Sequence, residues 1–431
     1  MTVDTSIEKP QALKLKCKVQ NYEWGRLGSR SEVGRLYSLQ YGSPPAEDKP
    51  FAELWIGTHD SGPSLVVLDE EADITILLKD WLSQNPYAIG KKVLQFWGAN
   101  LPFLFKVLSV AKALSIQAHP DKKIAKQLHQ LRPDIYKDGN NKPEMALAIS
   151  KFEALCGFMS PQEIKDVILE APELQCVLGD SVVKALLNVS RSKELAKIPL
   201  RAAFTNLMSA NDNVVSDAVF KIVARLSQKE QVRALTTKEQ LVIRLAKQYP
   251  GDVGVLASFF LNFVCLAPGE ALYLDANEPH AYIAGECVEC MATSDNVVRA
   301  GLTPKYKDTQ TLCAMLSYKQ GLPMILAGVQ INAHTKRYSP PLEEFEVDVS
   351  VLDYGESLVF KALLGPSVIL VLEGEGVMQQ RHWKETPLRK GDVYFVPAGV
   401  RLVISSSSPS RLTDQSLHLY RAGINSAFLA C

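Results

Sequence analysis

The sequence has no excess of charge of either sign, no apolar run long enough to span a bilayer, and too few cysteines to staple it together. Its 47 basic and 47 acidic side chains cancel to zero, which leaves no electrostatic footprint for nucleic acid or an anionic membrane. The longest apolar run, residues 254–267, is broken by Ser258 and Asn262 and falls short of the roughly 20 residues a membrane helix requires. Eight cysteines in 431 residues make no disulfide framework. The opening residues hold two acids and no apolar core, unlike a secretory signal. No Gly-rich nucleotide loop of the Walker or dinucleotide type occurs. What is there is ordinary for a folded chain, 47% hydrophobic and 22% charged. The expectation is a reduced, cytoplasmic, monomeric protein that acts on a small molecule, with no nucleic-acid or membrane partner.

Three textures follow one another. Up to Phe158 the chain mixes short apolar runs with turns. Residues 65–68 and 103–107 read as strands, and 122–131 as a helix behind the stop at His119-Pro120. Ser160-Pro-Gln-Glu163 and Thr236-Thr-Lys-Glu239 have the form of capping boxes, and Val214 to Leu226 carries apolar residues at helical spacing. Residues 159–249 are therefore expected to form a helical insert. After Gly254 the signal is strand-like to the end, in short runs such as Val368 to Leu372 and Gly391 to Val396 cut by Gly and Pro turns. The run Ser405 to Ser408 reads as a surface loop. The predicted fold is mainly β with an α-helical insert. A catalytic cupin-type jelly roll takes residues 1–158 with 250–325, and a second, degenerate one takes 326–431.

An internal frame supports two jelly rolls. Gly391, five residues, Pro397-Ala-Gly399, two residues and Leu402 has the spacing of a cupin motif. Counting from Gly269 gives Asp275-Ala-Asn277 and then His280 in the same frame. The slot that holds histidine in the earlier copy holds leucine in the later one.

Among seven histidines, His119 has close company. In Ser115-Ile-Gln-Ala-His-Pro120, residues two apart share one face of a strand, so Gln117 and His119 can reach one ion. The proline favours extended backbone at His119. In Asn140-Asn-Lys-Pro-Glu144, a carboxylate heads an apolar stretch and requires Lys142 or a metal as partner. With His280, the set Gln117, His119, Glu144 and His280 forms a first shell for Zn²⁺. Cys287-Val-Glu-Cys290 has no second ligand pair and reads as two unrelated thiols. Lys106, inside an apolar strand, must reach an anion or water. Together with Arg299, Lys305 and the Ser115 hydroxyl it could hold a phosphate ester.

These segments resemble the type I mannose-6-phosphate isomerases, the zinc-dependent phosphomannose isomerases. The resemblance runs through Gln20 to Gly25, Phe51 to Gly62, Leu101 to Lys122, Asn141 to Ala148, Phe152 to Gly157, Ala271 to Ile283 and Val288 to Lys305. It implies one zinc ion per chain on Gln117, His119, Glu144 and His280. Arg299 would be the active-site arginine, and Trp24, Glu53, Lys106, Lys142, Ser115, Tyr282, Glu289, Asp295 and Lys305 would be pocket positions. Asn141 stands where some members have histidine, so no role passes to that position. The implied reaction interconverts D-mannose 6-phosphate and D-fructose 6-phosphate through a cis-enediolate, upstream of GDP-mannose supply. Lys142 is the first candidate for proton transfer, because a neighbouring dication favours the neutral amine. Glu289 is the rival base, and Asp295 a candidate for ring opening. An iron oxygenase would need only His119, Glu144 and His280, and a non-catalytic sugar binder would need no metal.

Overall fold

A computed structural model describes residues 11–189, 193–380, 385–407 and 416–430. The chain divides into two compact units. One comprises Met1–Ser109, Val288–Thr293 and Leu326–Cys431, and the other Val110–Cys287 and Ser294–Ile325.

In the first unit, β-branched and apolar runs between Gly and Pro turns build two facing sheets among others. A nine-stranded sheet has the order Val329–Asn332, Thr335–Tyr338, Glu346–Leu352, Leu417–Gly423, Ser367–Glu373, Val393–Val396, Leu13–Lys16, Leu65–Asp69 and Ile74–Leu77. A four-stranded sheet runs Ser357–Phe360, Leu402–Ser406, Glu375–Gln380 and Thr386–Arg389. Ile369, Val371, Leu417 and Leu419 of the first sheet share one buried core with Phe360, Met378, Leu402 and Ile404 of the second. That is a sandwich, in which each strand buries alternate residues between layers. The expected surface loop at Ser405 and Ser406 is part of a strand instead. Ser405 pairs with Ser357 across the ladder, their hydroxyls 2.8 Å apart, and Ser406 is buried; Ser408 lies outside the described residues. The Ser405–Ser357 pair satisfies itself across the ladder, whereas the buried Ser406 hydroxyl has no hydrogen-bond partner.

In the second unit, the strands Glu144–Ala148, Phe152–Phe158, Leu261–Leu266, Ala271–Leu274 and the first part of His280–Ala292 pair antiparallel. The helical stretch begins as its caps dictate. Ser160 and Thr236 each accept from the backbone three residues on, with Glu163 and Glu239 reciprocating, at the heads of Pro161–Glu170 and Thr237–Gln248. Ile164, Ile168, Phe204, Ile222 and Leu245 pack with Leu155 and Phe158 into one core. The chain turns strand-like later than expected, because Asp252 caps a short helix, Val253–Ala257, by accepting from the Gly254 N–H at 2.6 Å. A fully apolar run carries no periodicity to separate helix from strand, so the cap decides. A further helix, Thr309–Met315, also interrupts the strand-like region, with Asp308 as its cap. Among the described residues no helix is long and apolar enough to cross a membrane.

Candidate metal centre

Three strands of the second unit carry the chemistry. Gln117 and His119 belong to Ile116–Ala118 and its first following residue, Glu144 opens Glu144–Ala148, and His280 opens His280–Ala292. Gln117 is the register partner of both His280 and Arg299. The two flanking strands therefore carry a histidine and an arginine at the level of the glutamine.

The side chains converge. His119, Glu144 and His280 are buried, and their donor atoms lie close enough together to hold one metal ion. The Glu144 carboxylate stands between the imidazoles, with Oε1 3.3 Å from His119 Nε2 and Oε2 3.4 Å from His280 Nε2. The ring centroids are 5.0 Å apart. Each imidazole is oriented from behind. His119 Nδ1 is 2.6 Å from the Asn296 carbonyl and His280 Nδ1 3.0 Å from that of Glu278. A carbonyl can only accept, so each Nδ1 carries the proton and each Nε2 presents its lone pair toward Glu144. Neither Nε2 has a hydrogen-bond partner. Two buried lone pairs and a carboxylate aimed at one point are costly without an electrophile, and this set fits a divalent metal of the zinc type.

Electrostatics agree. Burial alone would raise the Glu144 carboxyl, but the Lys142 ammonium, with Nζ 3.2 Å from Oε1, holds it well below the usual range. Burial pushes His119 down to about 4, keeping the imidazole neutral and able to ligate. Arg299 is lowered by burial alone.

The remaining predicted residues fall into two groups. In the second unit, the Ser115 hydroxyl donates to Gln117 Oε1 at 3.2 Å. Tyr282 is buried edge-on to Phe152. Asp295 and Lys305 are exposed, and the Asp295 N–H donates to the Asp138 carboxylate at 2.9 Å. In the first unit, the anion that buried Lys106 required is a pair of carboxylates, Glu289 at 3.0 Å and Glu53 at 3.6 Å, and its Nζ also lies 4.9 Å from the Trp55 ring. Trp55 in turn donates to Glu53. Trp24 is partly buried and stacks on Tyr22. Glu289 and His280 share one continuous strand rather than the expected hairpin. Cys287 and Cys290 are buried free thiols, as expected.

Sequence reasoning missed the orienting carbonyls and the Asp138 knot, whose carboxylate accepts from Ser294 at 2.9 Å and Asn296 at 3.2 Å. Backbone acceptors leave no side-chain signature. An aspartate in a Gly/Asn-rich turn is read as a turn residue.

Residues 12–160 match the family model of the phosphomannose isomerase type I catalytic domain, and residues 177–261 that of the type I helical insertion domain. The chain is 51% identical over 417 residues to mannose-6-phosphate isomerase 1 of Arabidopsis thaliana, a match covering 96% of the chain and 94% of that relative. It is 40% identical over 423 residues to the mannose-6-phosphate isomerase of Homo sapiens, covering 94% and 97%. A crystal structure of mannose 6-phosphate isomerase bound with zinc and yttrium superposes with a TM-score of 0.80 at 28% identity, over 96% of this chain and 99% of that one.

Proposed function

The chain belongs to the type I phosphomannose isomerases, and on that premise we propose that it interconverts mannose 6-phosphate and fructose 6-phosphate with one zinc ion per chain, as a cytoplasmic monomer. The observation that carries the reading is the Glu144 carboxylate set between two imidazole nitrogens that have no hydrogen-bond partner. Gln117, His119, Glu144 and His280 would hold the ion. When bound, zinc supplies a fixed positive charge beside the O1/O2 side of the sugar, where negative charge gathers in an enediolate.

The chain's own residues do the rest. Lys142 is the proton-transfer group, moving a proton between C2 of the open-chain aldose and C1 of the ketose. Glu289 is the weaker candidate, since its carboxylate is already neutralised by Lys106. The same pairing commits Lys106, so Lys305 and the Ser115 hydroxyl are left to grip the phosphate and orient the carbon skeleton. The Arg299 guanidinium, with no side-chain partner among the described residues, is positioned on the strand beside Gln117 to bond the developing oxyanion. Asp295, exposed on the loop before that strand, serves ring opening, and Tyr282 lines the sugar. Three buried ligands alone would also suit an iron oxygenase, but the family match argues against it.

A coupled assay with mannose 6-phosphate tests the reading. Turnover should disappear after chelation and return on addition of zinc. Zinc-loaded protein that leaves hexose 6-phosphates untouched would sink it, as would turnover that survives complete metal removal.

A further inference from the structure

Apart from the metal centre, the second unit holds a cavity of about 420 Å³ walled by Met159, Val167, Leu226, Phe259, Val264 and Leu322. Its size is that of a small-ligand pocket. Leu322 stands 86% exposed, so the lining continues outward into an apolar lip. None of the residues assigned to isomerisation lines it.

One charged group enters this apolar space unmatched. Lys238 sits in the first turn of Thr237–Gln248, where the helix dipole opposes a cation. Its Nζ donates to the Leu261 carbonyl at 2.6 Å and pairs with no carboxylate among the described residues. Burial pushes it down to about 7, with Glu163 pulling it back up. Of the other charges around the cavity, Glu239 and Arg225 are ion-paired, whereas Glu163 and Asp166 are hydrogen-bonded only to uncharged groups. Glu239 is held by Lys229 and Arg233 at 2.8 Å each. Arg225 clasps Glu173 at 2.6 Å, Glu163 bonds the Ser160 N–H of its own helix cap at 2.9 Å, and Asp166 accepts from Gln162 at 2.9 Å. Glu170 is exposed, and the strand Leu261–Leu266 lines the cavity with Asn262, Phe263 and Val264, which carry no charge.

We infer that this cavity binds a small amphiphile with an anionic head, in its simplest form a medium-chain carboxylate. The carboxylate would accept the remaining N–H groups of Lys238 at the positive end of the helix, and the chain would lie against the apolar walls. Such an anion gives this partly buried ammonium the ion-pair partner that no carboxylate among the described residues supplies.

Titration calorimetry of the zinc-loaded full chain with octanoate is the test. One saturable site is expected. Octan-1-ol, equal in length but uncharged, should bind roughly tenfold more weakly or worse, the worth of a charge-assisted bond. Lys238→Met should weaken octanoate by a similar factor while hexose 6-phosphate turnover, which also reports the fold, stays unchanged. Glu163→Gln, whose amide can still close the helix cap, should tighten it by relieving repulsion. Absence of a saturable site overturns the inference. So does equal affinity of octanoate and octanol, undiminished binding by the Lys238→Met chain, or weaker binding by the Glu163→Gln chain.

Discussion

Residues 144–280 of the second unit and residues 367–402 of the first contain the same turn and ladder with different side chains on it. Gly269 and Gly391 sit at φ +85° and +91°, a backbone region open to glycine, and each donates its N–H at 2.9 Å to the strand before it, to Ala148 and Val371 respectively. The acid that follows, Glu270 or Asp392, accepts from the backbone three residues upstream at 2.8 Å. Asn277 and Gly399 then take positive φ again, +62° and +79°, and His280 and Leu402 open the next strand. Glu144 pairs with Leu274 as Ser367 pairs with Val396, and Gln117 with His280 as Phe360 with Leu402. The helical insert fills the connection between Phe158 and Leu261, where the other copy passes from Gln380 to Thr386. Backbone geometry alone therefore makes no metal centre. Glutamine, glutamate and histidine stand at three matched positions in one copy, and phenylalanine, serine and leucine in the other. In place of an ion, the second copy has Arg421, buried, its Nε 2.9 Å from Ser367 Oγ and its guanidinium 5.1 Å from the Phe360 ring.

The sharpest way to break the comparison is to make the first copy resemble the second at its histidine slot. His280→Ala should abolish bound zinc and turnover together, with the fold retained; metal analysis, the coupled assay and circular dichroism on one preparation check it, and full turnover would remove His280 from the ligand set. Next is Arg299→Ala, which should keep its zinc and lose roughly 10²–10³-fold in kcat, the worth of one oxyanion donor. Lys142→Ala should slow turnover on the order of 10²-fold or more and stop solvent-proton exchange at C2, whereas Glu289→Gln should leave that exchange in place. NMR in deuterated water reads both. Zinc content must be measured alongside, since Lys142 also touches Glu144. The converse experiment acts on the second copy. Leu402→His should recruit no zinc, because Phe360 and Ser367 supply no further ligand and Arg421 repels a cation, and the buried imidazole should cost about 2 kcal/mol in urea unfolding.

How much of this was legible in the sequence follows from the kind of interaction involved. The pairing of Gln117 with His119 was read from the period of two of extended backbone. Glu144 was legible because a charge heading an apolar run demands a partner, and His280 because a repeat frame places it beside Leu402. Both capping boxes could be read because their partners are three residues apart. Contacts that close only in three dimensions could not. Nothing near Lys106 announces Glu289, and no side chain reports that Asn296 and Glu278 orient the imidazoles through their carbonyls. The helix Val253–Ala257 was hidden because its residues are buried on every side, which erases the period that separates helix from strand.

The smallest expected effect belongs to Ser367, and it separates two accounts of the second copy. If that copy merely lost its ligands, Ser367 fills space and Ser367→Ala should be nearly neutral. If the copy is held together by a fixed cation, the hydroxyl matters as an acceptor. Asp348 is clasped by Arg337 at 2.7 and 2.9 Å, and Glu346 is bound by the same guanidinium at 3.0 Å, so both acids favour the charged Arg421 only at longer range. Burial already pushes Arg421 down to about 10, and Ser367 supplies the acceptor for its Nε. Removing it strands a buried charged donor and should cost about 1–2 kcal/mol, read as a lower urea midpoint with zinc content and kcat unchanged. Arg421→Met in the Ser367→Ala background should recover part of that loss, because a buried charge with no partner is worse than an apolar chain of similar length. A double variant less stable than Ser367→Ala alone would show that Arg421 stabilises this copy through its other surroundings.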